Sequence, residues 1–272
     1  MPELPEVETV VRELRDKICG DSISSVEIFR NNPIVQGDLE EFQKQLIGKT
    51  FKHIFRRAKF LIFRMEPSGN MVAHMRMTGK FVVCDLIDAP SKYNRVWFHL
   101  TSGRLMIFDD VRCFGTLEFY ENLTDSKALK KLGIEPFSED FNLNYFKSKF
   151  ASSKREIKSI MLDQKIIAGL GNIYVSEILF RSKINPRRSS ETIRKKEWAQ
   201  IIKYTQFILE EAIKNNGTTI SDFRRVDDKT GKFQKFLKVY DKKEQPCPDC
   251  GIPIQRIVQQ QRSTFFCPGC QR

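Results

Sequence analysis

Three sets of residues in this 272-residue chain have types and spacings that could do chemistry, and they stand at its start, middle and end. The first is Met1-Pro2-Glu3-Leu4-Pro5-Glu6. Removing the initiator Met before a small second residue leaves Pro2 with a free secondary amine. Attack by such an amine on an aldehyde-like sugar carbon leads directly to a positively charged iminium, an electron sink that acidifies the neighbouring C–H and opens the way to elimination. Glu3, carried into a partly desolvated pocket beside it, could keep its proton at neutral pH and serve as general acid. Taken alone, the six residues favour a plainer reading as a helix start. Pro5 would then be a first-turn residue, with Glu6 and Glu8 placed where the dipole favours negative charge.

The last set is Cys247-Pro248-Asp249-Cys250 and Cys267-Pro268-Gly269-Cys270, two C-x2-C knuckles separated by 16 residues. This is the spacing of a tetrahedral zinc site, and four thiolates close the coordination sphere, so one structural Zn2+ is expected. Cys19, Cys84 and Cys113 are scattered and read as ordinary thiols. The middle set is Lys165-Ile166-Ile167-Ala168-Gly169-Leu170-Gly171-Asn172. Its two glycines would let backbone N–H groups approach an anion, with Asn172 at the start of the next helix. Glycine-rich turns between helices are common and usually only cap, so this loop gains weight only from its context.

That context is charge. The chain carries 46 Lys+Arg against 34 Asp+Glu, a formal net charge of +12. Residues 1–135 hold 20 basic against 19 acidic residues, and residues 136–272 hold 26 against 15, so the second half carries an excess of 11. A basic half on a near-neutral half suggests a polyanion bound mainly by the former, nucleic acid being the commonest. A solvated basic surface is the alternative. No apolar run approaches the roughly 18–20 residues of a membrane span. The acidic, Pro-containing N terminus has no secretory pattern, which implies a cytoplasmic protein with reduced cysteines.

The elements that must position these residues change character along the chain. Leu4, Val7, Val10, Val11, Leu14 and Ile18 recur at helical steps and predict an amphipathic helix ending near Gly20. Short β-rich runs follow at 25–29, 50–55, 60–65, 70–75, 80–84, 96–100, 105–108 and 116–119, broken by turns. A helix followed by some eight strands predicts an antiparallel sandwich or barrel, here residues 1–124. Residues 125–136, with Gly133 and Pro136, read as a linker. Helical periodicity at 142–151, 154–164, 173–182 and 190–215 predicts a helical domain over 137–240 that ends in a long polar loop from 217. Residues 241–272 form the zinc finger, with Gln259-Gln260-Gln261-Arg262 as its hairpin tip. The fold class is thus α+β.

With these residues in view, the chain resembles the bacterial formamidopyrimidine-DNA glycosylases. Met1-Pro2-Glu3-Leu4-Pro5-Glu6-Val7-Glu8-Thr9-Val10, Gly169-Leu170-Gly171-Asn172-Ile173-Tyr174 and the four-cysteine finger carry the resemblance, in order, over the whole length. It implies a bifunctional glycosylase/AP lyase of base excision repair. Such an enzyme excises 8-oxoguanine or formamidopyrimidines from double-stranded DNA and cuts the strand by β,δ-elimination, as a monomer. It further implies a helix-two-turn-helix in the helical domain. By motif, Pro2 would form the Schiff base, Glu3 donate the proton, Lys59 assist β-elimination and Arg262 assist δ-elimination, gripping phosphate with Asn172. Met77, Arg112 and Phe114 would fill the gap left by the flipped base, with Glu6, His74, Tyr93, Lys154 and Lys158 as further DNA contacts. Read without the family, the three wedge residues would be strand-end packing and His74 a satisfied core histidine.

The sequence departs from the family pattern in places. Cys113 stands where a second basic residue is common, Tyr93 where a His is, Ser152 and Ser153 where lysines often are, and Asp241 where Gly follows the Tyr. Two rivals remain at this level. One is the endonuclease VIII branch, which prefers oxidised pyrimidines but typically has Gly at position 4. The other is a non-enzymatic zinc-finger DNA-binding protein, which leaves Pro2, Glu3 and Lys59 without a role.

Overall fold

The computed structural model describes residues 1–29, 34–85, 90–150, 153–218, 226 and 231–272. Ser152 and most of the polar loop predicted from 217 therefore lie outside the described residues. Contacts divide the chain into two units, 1–130 with 215–234, and 131–214 with 235–272. The sequence reading had assigned 217–240 to the helical domain.

In the first unit the apolar stripe of the opening segment forms α1 (Leu4–Ile18), and all six residues of the stripe are buried. The eight predicted runs appear as β1 (Ile23–Ile28), β2 (Thr50–Arg57), β3 (Phe60–Glu66), β4 (Asn70–His74), β5 (Lys80–Asp85), β6 (Asn94–Leu100), β7 (Arg104–Asp109) and β8 (Thr116–Tyr120). They make two antiparallel sheets of order β1-β6-β7-β5 and β2-β3-β4-β8. Phe51 and Phe63 of one sheet and Phe81 and Phe108 of the other form a run of tilted rings with successive centroids 5.7, 5.4 and 4.9 Å apart. All four are essentially fully buried. Burial of each contributes about 1.5–3 kcal/mol relative to exposure.

α1 lies against β2, and both Nε and Nη2 of Arg15 donate to the Ile54 carbonyl, at 3.1 and 2.8 Å. A helix that the sequence reading missed, α2 (Leu39–Leu46), stands between β1 and β2. Asp38 caps it by accepting from Glu41 N–H at 2.8 Å, and Phe42 and Leu46 supply its buried face. Leu39, Phe42 and Leu46 do stand at helical steps, but two turns are too short a window for a period to be read with force. A short α3 (Lys127–Lys130) closes this part of the chain.

Residues 215–218 and 226 join the first unit because carboxylates of α1 take their backbone donors. Thr218 N–H donates to Glu6 Oε1 at 2.7 Å, and Val226 N–H to Glu13 Oε2 at 2.9 Å. Gly217 has φ +73°, and a Cβ there would stand 2.8 Å from Glu6 Oε1. Only glycine suits both the conformation and the approach.

The second unit contains α4 (Leu143–Phe150), α5 (Ile157–Leu162), α6 (Asn172–Arg181) and α7 (Lys195–Lys214), then the hairpin of β9 (Gln255–Gln259) and β10 (Arg262–Phe266). α5 is shorter than the predicted 154–164 because residues 155–157 pair elsewhere: Ser190 N–H with Arg155 C=O, and Ile157 N–H with Arg188 C=O. The helix predicted over 190–215 is interrupted after a 3-10 turn at Ser190–Thr192. Glu197 enforces the break by accepting from Arg194 N–H at 2.8 Å and from both Nη atoms of Arg188 at 2.7 and 3.1 Å. Those partners, Arg188 foremost, hold its pKa down to about 2. The core of this unit includes Trp198 stacked on Phe146 and Phe150 at 4.8 and 5.4 Å. Among the described residues no helix is long and apolar enough to cross a membrane.

Candidate functional site

The chain begins in a buried position. Pro2, Glu3 and Glu6 are buried while Met1 is exposed. Glu6 closes a capping box with Glu3, accepting from Glu3 N–H at 2.8 Å through Oε2, while its Oε1 takes Thr218 N–H. Glu6, at 1% exposure, thus bridges two backbone amides. Its position at the third residue of the helix forces this, since capping geometry turns its carboxylate back onto the chain.

Lys59 occupies the two-residue turn between β2 and β3 and is buried. Its partner in the turn, Ala58, has φ +54°. Arg56 ties the turn to α1, with Nε on Glu8 Oε2 at 3.2 Å and Nη1 on the Ala58 carbonyl at 3.0 Å.

His74, also expected at the DNA, is buried at the end of β4. Its Nδ1 accepts from Arg76 N–H at 2.9 Å, and Phe60 packs edge-on at 4.6 Å. Accepting at Nδ1 requires the neutral ring. Burial first, then Arg76 and Lys59, push its pKa down to about 3. Between about pH 6.5 and 3 the unfolded chain thus binds a proton that the folded one rejects, so stability is present in full above that range and falls as the pH drops through it. The urea midpoint is expected to fall between pH 7 and pH 5 by less in His74→Gln than in the wild type; equal losses would assign the acid sensitivity to other groups.

Met77, Arg112 and Phe114 are exposed side chains on the segments that follow β4 and β7. The Arg112 guanidinium lies 4.6 Å from the Phe114 ring centroid. Arg76 and Cys113, their immediate neighbours, have φ of +53° and +55°. Left-handed non-glycine residues cost about 1–3 kcal/mol each and persist where surrounding contacts over-determine them. Tyr93 is exposed, with Lys92 Nζ 5.0 Å over its ring. Behind these segments sits fully buried Asp110, which the sequence reading missed because an Asp-Asp pair before a loop carries no signal of burial.

In the second unit the finger hairpin is fastened beside the start of α6. Asn172 Nδ2 and Lys158 Nζ both donate to the Ser263 carbonyl, at 2.8 and 3.0 Å, and Lys158 also to Thr264 Oγ1. Lys158 is 1% exposed, and its ammonium is a strut under β10. Gln259 and Gln260 reach Glu156 and Ser159 at 2.8 and 2.6 Å. The tip narrows to Gln260 and Gln261, both at positive φ, leaving Arg262 exposed as the first residue of β10. Lys154 is exposed ahead of α5.

Glu177 of α6, a second residue missed, is buried and accepts from Lys238, Val239 and Tyr240 N–H at 2.8 to 2.9 Å, which fixes the chain entering the finger. The next residue, Asp241, has φ +61°, which accounts for glycine at this place in the family pattern.

The sulfurs of Cys247, Cys250, Cys267 and Cys270 lie within 4.8 Å of one another, with Cys247–Cys270 at 3.8 Å and Cys250–Cys267 at 3.4 Å. Tetrahedral Zn–S bonds of about 2.3 Å require sulfurs roughly 3.8 Å apart, so the donors fit. Asp249 and Cys270 N–H groups each point at a knuckle sulfur at 3.4 Å, as suits thiolates. The finger holds one structural zinc.

The fold and these sites define a zinc-finger protein with its N-terminal residues sealed at the head of a helix on a β-sandwich. The Formamidopyrimidine-DNA glycosylase N-terminal domain matches residues 1–117, the H2TH domain of the same protein matches 132–224, and the zinc finger found in FPG and IleRS matches 244–272. The chain belongs to the formamidopyrimidine-DNA glycosylase family. It is 42% identical to the Streptococcus pneumoniae formamidopyrimidine-DNA glycosylase, covering 100% of this chain and 99% of that one, and 38% identical to that of Pelotomaculum thermopropionicum, with the same coverage. Among solved structures, a Lactococcus lactis FPG mutant in complex with Fapy-dG containing DNA has a TM-score of 0.94 at 37% identity over 100% of both chains. The Lactococcus lactis Fpg with abasic-site DNA has a TM-score of 0.93 at 37% identity over 99% of both.

Proposed function

We infer that this chain is a DNA glycosylase of base excision repair that removes oxidised purines such as 8-oxoguanine and formamidopyrimidines and then cleaves the strand as an AP lyase. The observation that carries this is the buried Pro2-Glu3 start of α1 within a family match that runs the length of the chain. Pro2, freed of Met1, attacks the sugar carbon; loss of the base and formation of the iminium follow, with Glu3 as proton donor. Lys59 assists β-elimination, and Arg262 assists δ-elimination. Arg262, Lys154 and the α6 start at Asn172 hold phosphates, which suits the positive charge of the second half.

By this reading residues 1–124 carry the chemistry, 137–240 the helical DNA grip and 241–272 the finger. The substrate would keep the protein at the bacterial nucleoid. Borohydride trapping on a duplex with 8-oxoguanine opposite cytosine tests it. A covalent adduct with that duplex, and none with an oxidised pyrimidine or undamaged DNA, is the expected result; trapping only on the pyrimidine would move the chain to the endonuclease VIII branch.

Flipping a base costs a few kcal/mol and leaves a gap, which Met77 and Phe114 fill by packing and stacking. Arg112 reads the orphaned partner. Its guanidinium only donates, and cytosine offers two acceptors, O2 and N3, where adenine sets an amino donor beside N1. The difference amounts to about 1–3 kcal/mol, or roughly ten- to a hundredfold in rate ratio. Arg112→Ala is therefore expected to narrow the cytosine-over-adenine preference in single-turnover excision while leaving cleavage of a preformed abasic site nearly unchanged. An unchanged ratio would leave Arg112 as a space filler.

A further inference from the structure

Asp110 is 0% exposed, yet it stands two residues before exposed Arg112. Its Oδ1 accepts from the Thr78 hydroxyl and from Arg112 N–H at 3.1 Å, and its Oδ2 accepts from Gly115 N–H at 2.8 Å. The Thr78 oxygen in turn accepts from Arg112 N–H at 3.0 Å. Asp110 N–H donates to the Tyr93 carbonyl at 3.0 Å, and its own carbonyl takes Arg95 Nε at 2.7 Å. One residue thus joins the segments that carry Met77, Tyr93 and the Arg112–Phe114 pair.

The Phe108 ring lies between two of those segments. A Cβ on Gly79 or on Gly115 would come within 2.9 or 2.6 Å of Phe108 Cζ, so both strand ends close on the ring with no slack. Each of the two segments also holds a left-handed residue, Arg76 or Cys113. Such a pair of strained turns keeps one geometry only while something fixes it, and the Asp110 carboxylate bonds both.

We propose that Asp110 is the positioning residue of the wedge: it touches no DNA, and through Thr78 and the Arg112 and Gly115 amides it sets the register in which Arg112 and Phe114 meet the partner base, and hence the preference for cytosine over adenine. This rests on the function proposed above. Asn at 110 keeps the size but turns one acceptor into a donor facing an N–H group, which forfeits a charge-assisted bond and leaves a buried mismatch.

The test is single-turnover excision of 8-oxoguanine opposite cytosine and opposite adenine by Asp110→Asn, Thr78→Val and Thr78→Ser, beside cleavage of a preformed abasic site and near-UV circular dichroism. The expected result is about a tenfold or larger loss of excision opposite cytosine in Asp110→Asn and Thr78→Val, with a narrowed cytosine-over-adenine ratio and abasic-site cleavage within about twofold of wild type. Thr78→Ser, which keeps the hydroxyl, should restore the ratio. Should Asp110→Asn fail to fold, Thr78→Val carries the test, since it removes the same link without burying a new polar atom. An unaltered ratio in folded Asp110→Asn or Thr78→Val overturns the proposal, and so does a ratio that Thr78→Ser fails to restore. If the wild type itself forms no borohydride adduct, it is the functional reading that fails; if the wild type traps and Arg112→Ala narrows the ratio while the Asp110 and Thr78 variants do not, only the role of Asp110 is lost.

Discussion

Protein that retains Met1, or carries a tag ahead of Pro2, is expected to lose borohydride trapping by about three orders of magnitude or more, the scale on which deletion of a covalent nucleophile acts. Acylation turns the Pro2 nitrogen into an amide, whose lone pair is delocalised into the carbonyl and cannot attack carbon. Because Met1 projects into solvent while Pro2 is buried, an extension is accommodated without disturbing α1, so DNA binding and the unfolding midpoint should stay near those of the processed protein. Pro2→Gly should fall in the same direction, since it gives up the secondary amine that passes directly to an iminium. Trapping that survives a blocked terminus would identify another amine, with Lys59 the first to examine.

The second large effect is expected from the metal. The finger's own apolar cluster is small: Phe180 of α6 packs with Val239, Ile254, Phe265 and the knuckle residues Cys247 and Cys267. So few side chains cannot hold a hairpin, and the binding free energy of a structural zinc, about 10–16 kcal/mol, is in effect the folding free energy of such a segment. Removing zinc by chelation, or replacing Cys247 or Cys267 by Ser, should therefore release β9 and β10. The Ser263 carbonyl then leaves Asn172 and Lys158, and Arg262 loses its frame. DNA affinity should drop by roughly ten- to a hundredfold, the worth of one charge-assisted contact of about 1.5–3 kcal/mol. Atomic absorption on freshly purified, reduced protein should give one zinc per chain. A reading near zero would end this account of the finger.

What the sequence made legible is what repeats or is chemically singular. The stripe from Leu4 to Ile18 declares α1, the alternating runs declare the eight strands, and four cysteines at this spacing point strongly to zinc. Boundaries were less legible wherever backbone groups pair outside their own element, as at Arg155 to Ile157 and at the Arg194 break. The same limit governed the site. Pro2 is chemically singular although its position alone favours a helix start, while the roles of Arg262, Glu6, His74 and Lys158 come only with the family resemblance. The burial of Glu6, His74 and Lys158 depends on distant partners such as Thr218, Phe60 and Ser263, and no local pattern announces it. Asp110 and Glu177 were invisible for the same reason: a carboxylate that organises a loop looks in sequence like one that faces water.

The bonds that Thr218 and Val226 make to carboxylates of α1 have a consequence for the order of synthesis. Glu6 and the Thr218 amide that meets its carboxylate are 212 residues apart. At the usual elongation rate of 5–20 residues per second, roughly 10 to 40 s pass between their appearances. Over that interval both sheets can form, since all eight of their strands lie before residue 121, while α1 offers carboxylates to backbone donors that do not yet exist. The N terminus therefore meets its processing enzymes while its surroundings are still open, and the frame around Glu3 closes only after the helical segment has been made. A chain cut short before residue 215 would contain Pro2, Glu3 and Lys59 and still lack the backbone donors that meet Glu6 Oε1 and Glu13 Oε2.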